Sequence, residues 1–465
     1  MAERLIEVAG KAVQAAMKED ADQAEAIACS IDIMTINIEN GATRFSGLDQ
    51  HQGIGLRVVK DNTTGFSFVS NILDESINSV VTRALKVSSV KKSDPNFKSL
   101  PEPKAPTEVE GTFDDDIANL SFEDAKGLAS RIAESAESYH EGIMATFGVF
   151  ESKYKKFAVV NSLGLEVANS GTSVLAGVRT LLEYSGGTSN GLAFQNSRKL
   201  KGLDPEDIGE RSSKLAVMSV KPRRIKTLET TVILDPDAVA GLFGSVLMPA
   251  LYGSVIQEKG SFLLDKLAEE VASEAVTVVD DGTLSGGIKT ARVDYEGVPT
   301  RRTTLIDGGV MKGFMFDTYS ADKDGIESTG NAVRAGGFGP YRDSRGREYR
   351  FAPRIGCTNF IMEKGSTPRD RMIEEVDDGI LVTFAVGGGS ASSGEFSADV
   401  RNVYRIEGGE ITYPIRQAMF AGNIMGLLKN VDAVGDISRS SGGLNPGEII
   451  SPSIRTRKGL IIGDL

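Results

Sequence analysis

The chain contains few of the residues that usually perform hydrolytic or metal-dependent chemistry. Its 465 residues include two histidines, His51 and His140, and two cysteines, Cys29 and Cys357. Both histidines are expected in or beside N-terminal loops and helix ends, where a solvated or satisfied side chain is favoured. A catalytic zinc ion usually has three protein ligands and one open position, and two of the ligands are often histidines on one helix face. A serine hydrolase likewise requires a histidine base between a serine and a carboxylate. The sequence therefore indicates neither a zinc-binding helix nor a serine hydrolase triad.

The cysteines and two paired aspartates each have a structural and a chemical interpretation. Two cysteines are too few for a disulfide framework or a zinc site built on cysteine pairs, which favours reduced thiols. Cys357 would act as a nucleophile only if a base approached it, and no histidine lies near it in the sequence, so a structural thiol is favoured. Asp280 and Asp281 follow an apolar stretch and could bind magnesium, but a turn at a strand end is the favoured interpretation.

A run rich in glycine and serine follows the apolar stretch 380–386. Its candidate site residues are Gly387, Gly388, Gly389, Ser393, Gly394, Glu395 and Ser397. Glycines allow a second backbone to come close, and exposed N–H groups in such a run could bind an anion. The run lacks the Lys-Ser/Thr pair of a phosphate-binding loop and the Gly-x-Ser-x-Gly pattern of a nucleophile elbow. Nucleotide binding and serine catalysis are therefore disfavoured here.

A second glycine cluster, at 336–339, lies in a segment that is basic within an acidic chain. Its arginines are Arg334, Arg342, Arg345, Arg347, Arg350 and Arg354. These guanidinium groups could bind carboxylates, whereas the more conservative interpretation is a solvated loop. The solvated loop is the favoured prediction.

Composition excludes several classes of protein. The chain has a net charge of −12 and a pI near 5.0, which disfavours nucleic-acid binding because that normally requires a basic face. No apolar run approaches the roughly 20 residues that a membrane span requires. The first residues lead into an amphipathic pattern rather than the apolar core of a secretory signal, so we expect a cytoplasmic protein.

The N-terminal half contains one pattern twice, a strand hairpin followed by a helix. The first copy places strands at 55–59 and 66–69, and the second places them at 177–181 and 192–194. The alternative is a chance similarity between two segments of this kind. We predict an N-terminal α+β domain over 1–229, with the repeat at about 1–92 and 119–222 and a proline-rich, extended linker at 93–118.

Helix signals accompany each copy. Apolar residues at helical spacing predict a helix over about 2–18, and Ser121 with Asp124 resembles a capping box for a helix that ends near Tyr139. Asp74 precedes the apolar positions of the first copy's later helix. Asp204-Pro205 provides a capping side chain and a proline at the first helical position of its counterpart.

Strand signals dominate the C-terminal half, which we predict to be one domain over 230–465. Short helices are expected at about 235–247 and 262–273, and hairpins with glycine turns at 303–316 and 403–413. The predicted fold class is therefore α+β, with an N-terminal α/β region of two duplicated hairpin-plus-helix units. The C-terminal domain is expected to be sheet-rich, barrel-like or mixed β, with a few helices.

Several short motifs in this half, in a fixed order, carry a resemblance to a known family. They are 260–265 (GSFLLD), 280–284 (DDGTL), 294–300 (DYEGVPT), 328–331 (STGN), 353–359 (PRIGCTN), 387–397, 404–409 (YRIEGG), 413–414 (YP) and 421–423 (AGN). The chain resembles the TldD/TldE (PmbA) metalloprotease family, historically labelled modulators of DNA gyrase. The N-terminal half agrees with this family in architecture more than in motifs.

The resemblance implies a zinc site whose ligands this chain lacks. In the TldD branch a helix with the pattern HExxxH and a late cysteine would bind zinc. Counted back from the matching stretch at 260, the histidine, glutamate and second histidine fall at Ser245, Val246 and Ala250, and the cysteine falls near 441–444. None of these residues can replace a zinc ligand or a catalytic base. The chain therefore resembles the TldE/PmbA branch, which lacks HExxxH.

The resemblance also implies a partner and a substrate. It implies a heterodimer with a TldD-like, HExxxH-bearing subunit that holds the zinc, while this chain binds no cofactor and alone is inactive. The pair would enclose a chamber in which an unfolded peptide is gripped mainly through its backbone, as in strand addition to a sheet edge. The glycine run 387–397 is then expected near the chamber or the subunit interface. The alternative function is a homodimeric peptide-binding or regulatory protein without catalytic activity, and a self-sufficient hydrolase that uses Cys357 or a serine ranks third.

Overall fold

The computed structural model describes residues 2–335, 346–441 and 448–463, and its first half repeats one order of elements. The helices of this half are α1 (Ala2–Lys18), α2 (Ile77–Ser89), α3 (Asp115–Ala118), α4 (Phe122–Ser138) and α5 (Pro205–Met218). Its strands are β1 (Gln23–Glu39), β2 (Ala42–Lys60), β3 (Thr63–Val69), β4 (Ile143–Asn161), β5 (Glu166–Tyr184) and β6 (Gly187–Ser197). Each unit contains the predicted hairpin and helix, preceded by one further strand and a helix.

Capping side chains begin two of these helices where the sequence predicts them. The Ser121 hydroxyl accepts a hydrogen bond from the Asp124 N–H at 3.1 Å, ahead of α4. The Asp204 carboxylate accepts one from the Asp207 N–H at 3.0 Å, and Pro205 is the first residue of α5. These bonds satisfy amide groups that a helix leaves without partners at its start. Ahead of α2, Asp74 instead begins a single 3₁₀ turn (Asp74–Ser76), and no side chain caps the helix.

The two units share one antiparallel sheet. Among the described residues its strand order is β3-β2-β1-β4-β5-β6, and the first strands of the two units pair from Glu25↔Asn161 to Glu39↔Phe147. Residues of β1 alternate between the two faces. Ala26 and Ala28 pack with α1 and α2, whereas Ile27 and Cys29 pack on the opposite face with residues of the C-terminal half. The sheet is therefore covered by its own helices on one face and by the rest of the chain on the other.

The second half is dominated by strands. They are β7 (Leu228–Leu234), β8 (Val278–Asp281), β9 (Arg302–Asp307), β10 (Val310–Met311), β11 (Ala332–Val333), β12 (Arg354–Ile355), β13 (Asn359–Met362), β14 (Asp378–Gly389), β15 (Glu395–Glu407), β16 (Glu410–Ile415), β17 (Ala418–Asn423), β18 (Val431–Ser440) and β19 (Glu448–Gly463). Its helices are α6 (Pro236–Leu242), α7 (Met248–Ala250), α8 (Gly253–Gln257), α9 (Thr318–Asp324), α10 (Arg369–Glu374) and α11 (Ile424–Lys429). A π-helical segment, Phe243–Leu247, connects α6 to α7.

Five of these strands close into a barrel. The order β7-β14-β15-β17-β19 returns to β7, through the parallel pair Ile380↔Val232 and the antiparallel pair Ile454↔Leu234. The segment from α6 to α7 packs its apolar residues into the same core. The predicted α+β class with a sheet-rich, barrel-like C-terminal region is confirmed. Within the described residues, no helix has the length and apolarity needed to span a membrane.

Three local predictions need correction. The helix expected at 262–273 is a series of turns, since Asp265 and Ala268 adopt φ values of +59° and +65°, which a right-handed helix cannot contain. The linker 93–118 is not extended throughout, because α3 forms at its end. His51, expected in a loop, lies within β2. The predicted division of the chain at residue 230 stays a prediction.

A buried network of four charges joins the N-terminal sheet to the C-terminal half. Glu25 and Arg57 face each other across β1 and β2, and their side chains pair at 2.7 Å. Arg57 also pairs with Glu296 at 2.8 Å, and Arg334 pairs with Glu25. Burial lowers the pKa of Arg57, but the carboxylates of Glu25 and Glu296 outweigh it and hold that pKa above its usual value. Two positive and two negative groups thus compensate one another inside the protein.

This network overturns the solvated-loop prediction for the first arginine of the basic segment. Arg334 is 1% exposed and also donates to the carbonyl oxygens of Tyr295 and Phe351, at 3.1 and 3.0 Å. Arg347 contacts the His51 ring at 3.0 Å. The segment thus packs against the N-terminal sheet, while Arg342 and Arg345 lie outside the described residues.

Removing one member of the network should destabilise the whole fold. Glu296→Gln keeps the shape of the side chain but leaves Arg57 and Arg334 with a single carboxylate, so we expect a loss of about 3–5 kcal/mol in the free energy of unfolding. Urea unfolding measures it. The matched control is Lys104→Met, which breaks the exposed 3.1 Å pair between Lys104 and Glu327 and should leave the midpoint unchanged. Equal midpoints for the two variants would contradict this role of the network.

Candidate functional site

The positions that the family resemblance assigns to zinc ligands lie on the helical segment that enters the barrel core. Val246 and Ala250 are fully buried and carry no atom that can bind a metal. The hydroxyl of Ser245 donates to the carbonyl oxygen of Leu242 at 3.1 Å. In the described part of the chain, no three histidine, cysteine or acidic side chains converge as metal ligands would. The residues present at these positions therefore do not fit zinc.

The two histidines of the chain lie outside this segment, and most of the region expected to contain the late cysteine is not described. His51 lies in β2, and His140 follows α4 with its ring nitrogen 2.6 Å from the carbonyl oxygen of Glu141. Of the region where the late cysteine would fall, Ser441 is buried, and 442–444 lie outside the described residues.

The glycine run lies directly against the same helical segment. The strands β14 and β15 pair across it, and successive residues of β14 alternate between the core and the outside of the barrel. A Cβ atom at Gly389 would collide with Cγ2 of Val246 and would lie 2.9 Å from the carbonyl oxygen of Glu395. A Cβ atom at Gly388 would meet no atom within 4 Å. The structure thus brings the predicted run and the predicted ligand positions together, with Gly389 facing inwards.

The turn between β14 and β15 is held by its own hydrogen bonds. The N–H groups of Ser390 and Gly394 donate to the carbonyl oxygens of Glu395 and Ser390 at 2.9 and 2.8 Å. The N–H of Glu395 donates to the Ser393 hydroxyl at 3.2 Å. Gly394 has a φ of +75°, which favours glycine. These three N–H groups therefore have acceptors within the turn.

Asn423 fastens the turn to the neighbouring strand. Its side-chain amide donates to the carbonyl oxygen of Ser393 at 2.9 Å and to the Glu395 carboxylate at 3.1 Å. The N–H of Ile424 donates to the carbonyl oxygen of Gly394 at 2.8 Å. The turn is therefore fixed relative to β17, and the Glu395 carboxylate, which is exposed, has a defined position at the barrel surface.

Outside the barrel, the run is continuous with an apolar surface that we call the outer barrel face. In one row across the sheet, Val386, Asp399, Met419 and Ile462 are register neighbours on β14, β15, β17 and β19. In the next row the neighbours are Gly388, Ser397, Ala421 and Leu460. The large apolar members of the two rows, Val386, Met419, Leu460 and Ile462, are 37–44% exposed. Between them lie small residues and the exposed Asp399, whose carboxylate pairs with Arg401 at 3.3 Å.

Cys357 and the paired aspartates have structural roles. The Cys357 thiol contacts the Met248 sulfur at 3.1 Å, and burial raises its pKa well above the usual value, so it is a poor nucleophile. Asp280 accepts hydrogen bonds from the Thr358 N–H at 2.8 Å and the Asn331 amide at 2.7 Å. Burial raises the pKa of Asp280 to about 7. Asp281 instead caps the turn at Thr283, at 2.8 Å, so the two carboxylates do not share a metal site.

Three domain models of one protein family match successive ranges of the chain. Residues 227–463 match the PmbA/TldA metallopeptidase C-terminal domain, 115–220 match the central domain and 24–88 match domain 1.

Individual relatives cover most of the chain. An uncharacterised protein of Methanocaldococcus jannaschii is 28% identical over 91% of this chain and 92% of its own length. The metalloprotease PmbA of Escherichia coli O157:H7 is 25% identical over 93% and 92%. The crystal structure of TldE from Thermococcus kodakarensis covers 98% of this chain and 100% of its own, with a TM-score of 0.89 and 24% identity, and therefore shares its fold.

The two neighbouring glycines of the run should respond differently to one added methyl group. Gly389→Ala places a methyl group against Val246, and we expect a loss of about 1–3 kcal/mol from overpacking. Gly388→Ala adds the same group in open space, so it should be neutral or slightly stabilising. Thermal or urea unfolding of the two variants measures the difference. A Gly389→Ala variant as stable as Gly388→Ala would show that Gly389 does not pack against the helical segment.

Proposed function

Because this chain belongs to the PmbA/TldD metallopeptidase family, we propose that it is the subunit without a metal site in a two-subunit zinc peptidase. Its partner is a relative that carries HExxxH and holds the zinc. The substrate is an unfolded peptide, and this chain forms part of the chamber that encloses it. The chain alone has no peptidase activity and binds no zinc.

This proposal rests on the residues found at the positions where the family resemblance expects zinc ligands. Val246 and Ala250 are fully buried and apolar, and Gly389 leaves the space that the Val246 side chain occupies. A carboxylate at position 246 would be buried beside apolar atoms, which costs several kcal/mol unless it is paired. The side chains of this segment therefore pack as part of the barrel core. The neighbouring motifs that carry the family resemblance are present in the chain.

Retained motif residues still position the segment. The Ser261 hydroxyl, from the matching stretch 260–265, donates to the carbonyl oxygen of Ala250 at 2.7 Å. The Phe262 N–H donates to the carbonyl oxygen of Ala391 in the glycine-run turn at 2.8 Å. These bonds connect the helical segment, its following loop and the turn into one unit. A structural role as the second wall of a chamber accounts for such retention better than loss of function does.

The outer barrel face supports the partner in this proposal. Four large apolar side chains on neighbouring strands are 37–44% exposed around the charged Asp399, and a cluster of exposed apolar side chains commonly marks a protein interface. The face adjoins Glu395 and the glycine run, so a partner seated there would lie beside the turn. We propose that the HExxxH-bearing relative covers this face. A second copy of this chain on the same face is the outcome that would favour the homodimeric alternative.

Co-expression with an HExxxH-bearing relative from the same genome tests the complex and its interface together. The pair should co-purify and cleave an unfolded peptide such as reduced, denatured casein, and a chelator should abolish cleavage. Met419→Glu replaces an exposed apolar side chain by a second carboxylate beside Asp399, so pairing should weaken at least about tenfold. The control is Leu48→Glu on β2, at a side chain 67% exposed, which should pair and cleave as the unmodified chain does.

The same measurements can contradict the proposal. Peptide cleavage by this chain alone that survives a chelator would exclude a non-catalytic role. A Met419→Glu variant that pairs normally would exclude the outer barrel face as the interface while leaving the complex in place. A chain that forms only homodimers and never binds the relative would favour the alternative function.

A further inference from the structure

A basic segment, 221–226, borders one end of the outer barrel face. On β19 the face residue Ile462 is followed by Gly463, which pairs with Ala418 of β17. A Cβ atom at Gly463 would lie 2.0 Å from the carbonyl oxygen of Ile225, so the backbone of the segment contacts the end of β19 directly. The apolar face and the basic segment therefore form one continuous surface.

Backbone hydrogen bonds fix the segment beside β16. The N–H of Arg223 donates to the carbonyl oxygen of Pro414 at 2.9 Å. The N–H of Arg416, in the turn between β16 and β17, donates to the carbonyl oxygen of Arg223 at 2.8 Å. The Arg223 guanidinium lies over the ring of Tyr413, 4.4 Å from its centroid. A cation held over an aromatic ring has less freedom left to lose when it binds a partner.

Four exposed basic side chains lie along this border, which we call the basic edge. They are Lys221, Arg223, Lys226 and Arg416. Within residues 2–335, 346–441 and 448–463, no carboxylate forms an ion pair with any of them. The whole chain has a net charge of −12, so a group of unpaired cations is a local exception to the charge of the molecule.

The opposite end of the outer barrel face is acidic. There the Glu395 carboxylate is held by the Asn423 amide at 3.1 Å. Along β15, Glu395 and Arg401 are roughly 20 Å apart, because a strand rises about 3.3 Å per residue. Arg401 lies at the basic end and pairs with Asp399 at 3.3 Å. The face thus has a carboxylate at one end and unpaired cations at the other.

We infer that the basic edge docks an acidic surface of the metal-bearing partner. The inference rests on the proposed function, and it adds the charge that the partner carries and the direction in which the partner lies on the face. Charged groups at the rim of an interface steer the approach of a partner and select one orientation of it.

A second copy of this chain fits the basic edge less well. A symmetric contact of two copies uses the same surface on both sides. The unpaired carboxylates of that surface are Glu395 and the exposed Glu229, which is the register neighbour of Leu460 on β7. Two carboxylates would leave two of the four cations on each copy without a partner, whereas an unlike chain can provide an acidic group for each.

The rate of association with an HExxxH-bearing relative from the same genome tests this inference. In the double variant Arg223→Glu, Arg416→Glu the association rate constant at low ionic strength should fall at least about tenfold. The difference should shrink at about 0.5 M NaCl, since salt screens exposed charges. The matched control is Lys86→Glu, Lys126→Glu, which makes the same change in net charge at exposed positions on α2 and α4 and should associate as the unmodified chain does. Lys221→Glu, Lys226→Glu keeps the test decisive if loss of the contact with Tyr413 disturbs the fold.

Several outcomes would overturn the inference. Unchanged association in both edge variants would remove the basic edge from the interface, and a pair that still cleaves peptide would leave the proposed complex standing. Equal slowing in the control variant would assign the effect to net charge alone. Homodimers that dissociate in the edge variants would replace the relative by a second copy. Duplex DNA that binds the unmodified chain but not these variants would replace the acidic protein surface by a nucleic acid. A chain that binds no such relative would overturn the inference and the proposed complex together.

Discussion

The compensation of buried charge between the two halves of the chain is the constraint on which the rest of the structure depends. Glu25 and Arg57 are buried on the sheet, and each would be strongly unfavourable there without the other and without Glu296 and Arg334. The C-terminal residues provide that compensation only when the barrel half is folded against the sheet. The network therefore couples the two halves of the chain.

Apolar packing in the barrel core constrains the helical segment between α6 and α7, and it leaves no metal ligand there. The family resemblance implies that a metal-bearing relative has polar ligands on the segment between α6 and α7. Here Val246 and Ala250 turn the segment into packing surface, and Gly389 admits the Val246 side chain. Ser261 and the glycine-run turn still hold the segment in place. Apolar packing at these positions fits the proposed role as a chamber wall, which requires shape and no metal ligand.

Several local signals in the sequence predicted local structure correctly, although the helix expected at 262–273 was wrong, and long-range partners were missed. The caps at Ser121 and Asp204 and the amphipathic helix 2–18 act over a few residues, so the sequence alone indicated them. Strands β1 and β4 were not predicted, because their pairing joins two distant units of the chain. The burial of Glu25 and Arg57 was equally hidden, and the available signal was that each lies between apolar residues of its strand. The glycine run was predicted as a site from its motif, but which glycines face the core follows only from the barrel register.

The central claim, that the metal belongs to the partner and not to this chain, is tested most directly by counting zinc in the purified pair. Metal analysis combined with native mass spectrometry should find one zinc ion per complex of two unlike chains and none on this chain alone. Substituting the first histidine of the partner's HExxxH should remove that zinc while the pair remains assembled. Two zinc ions per complex, or stoichiometric zinc on this chain alone, would contradict the account.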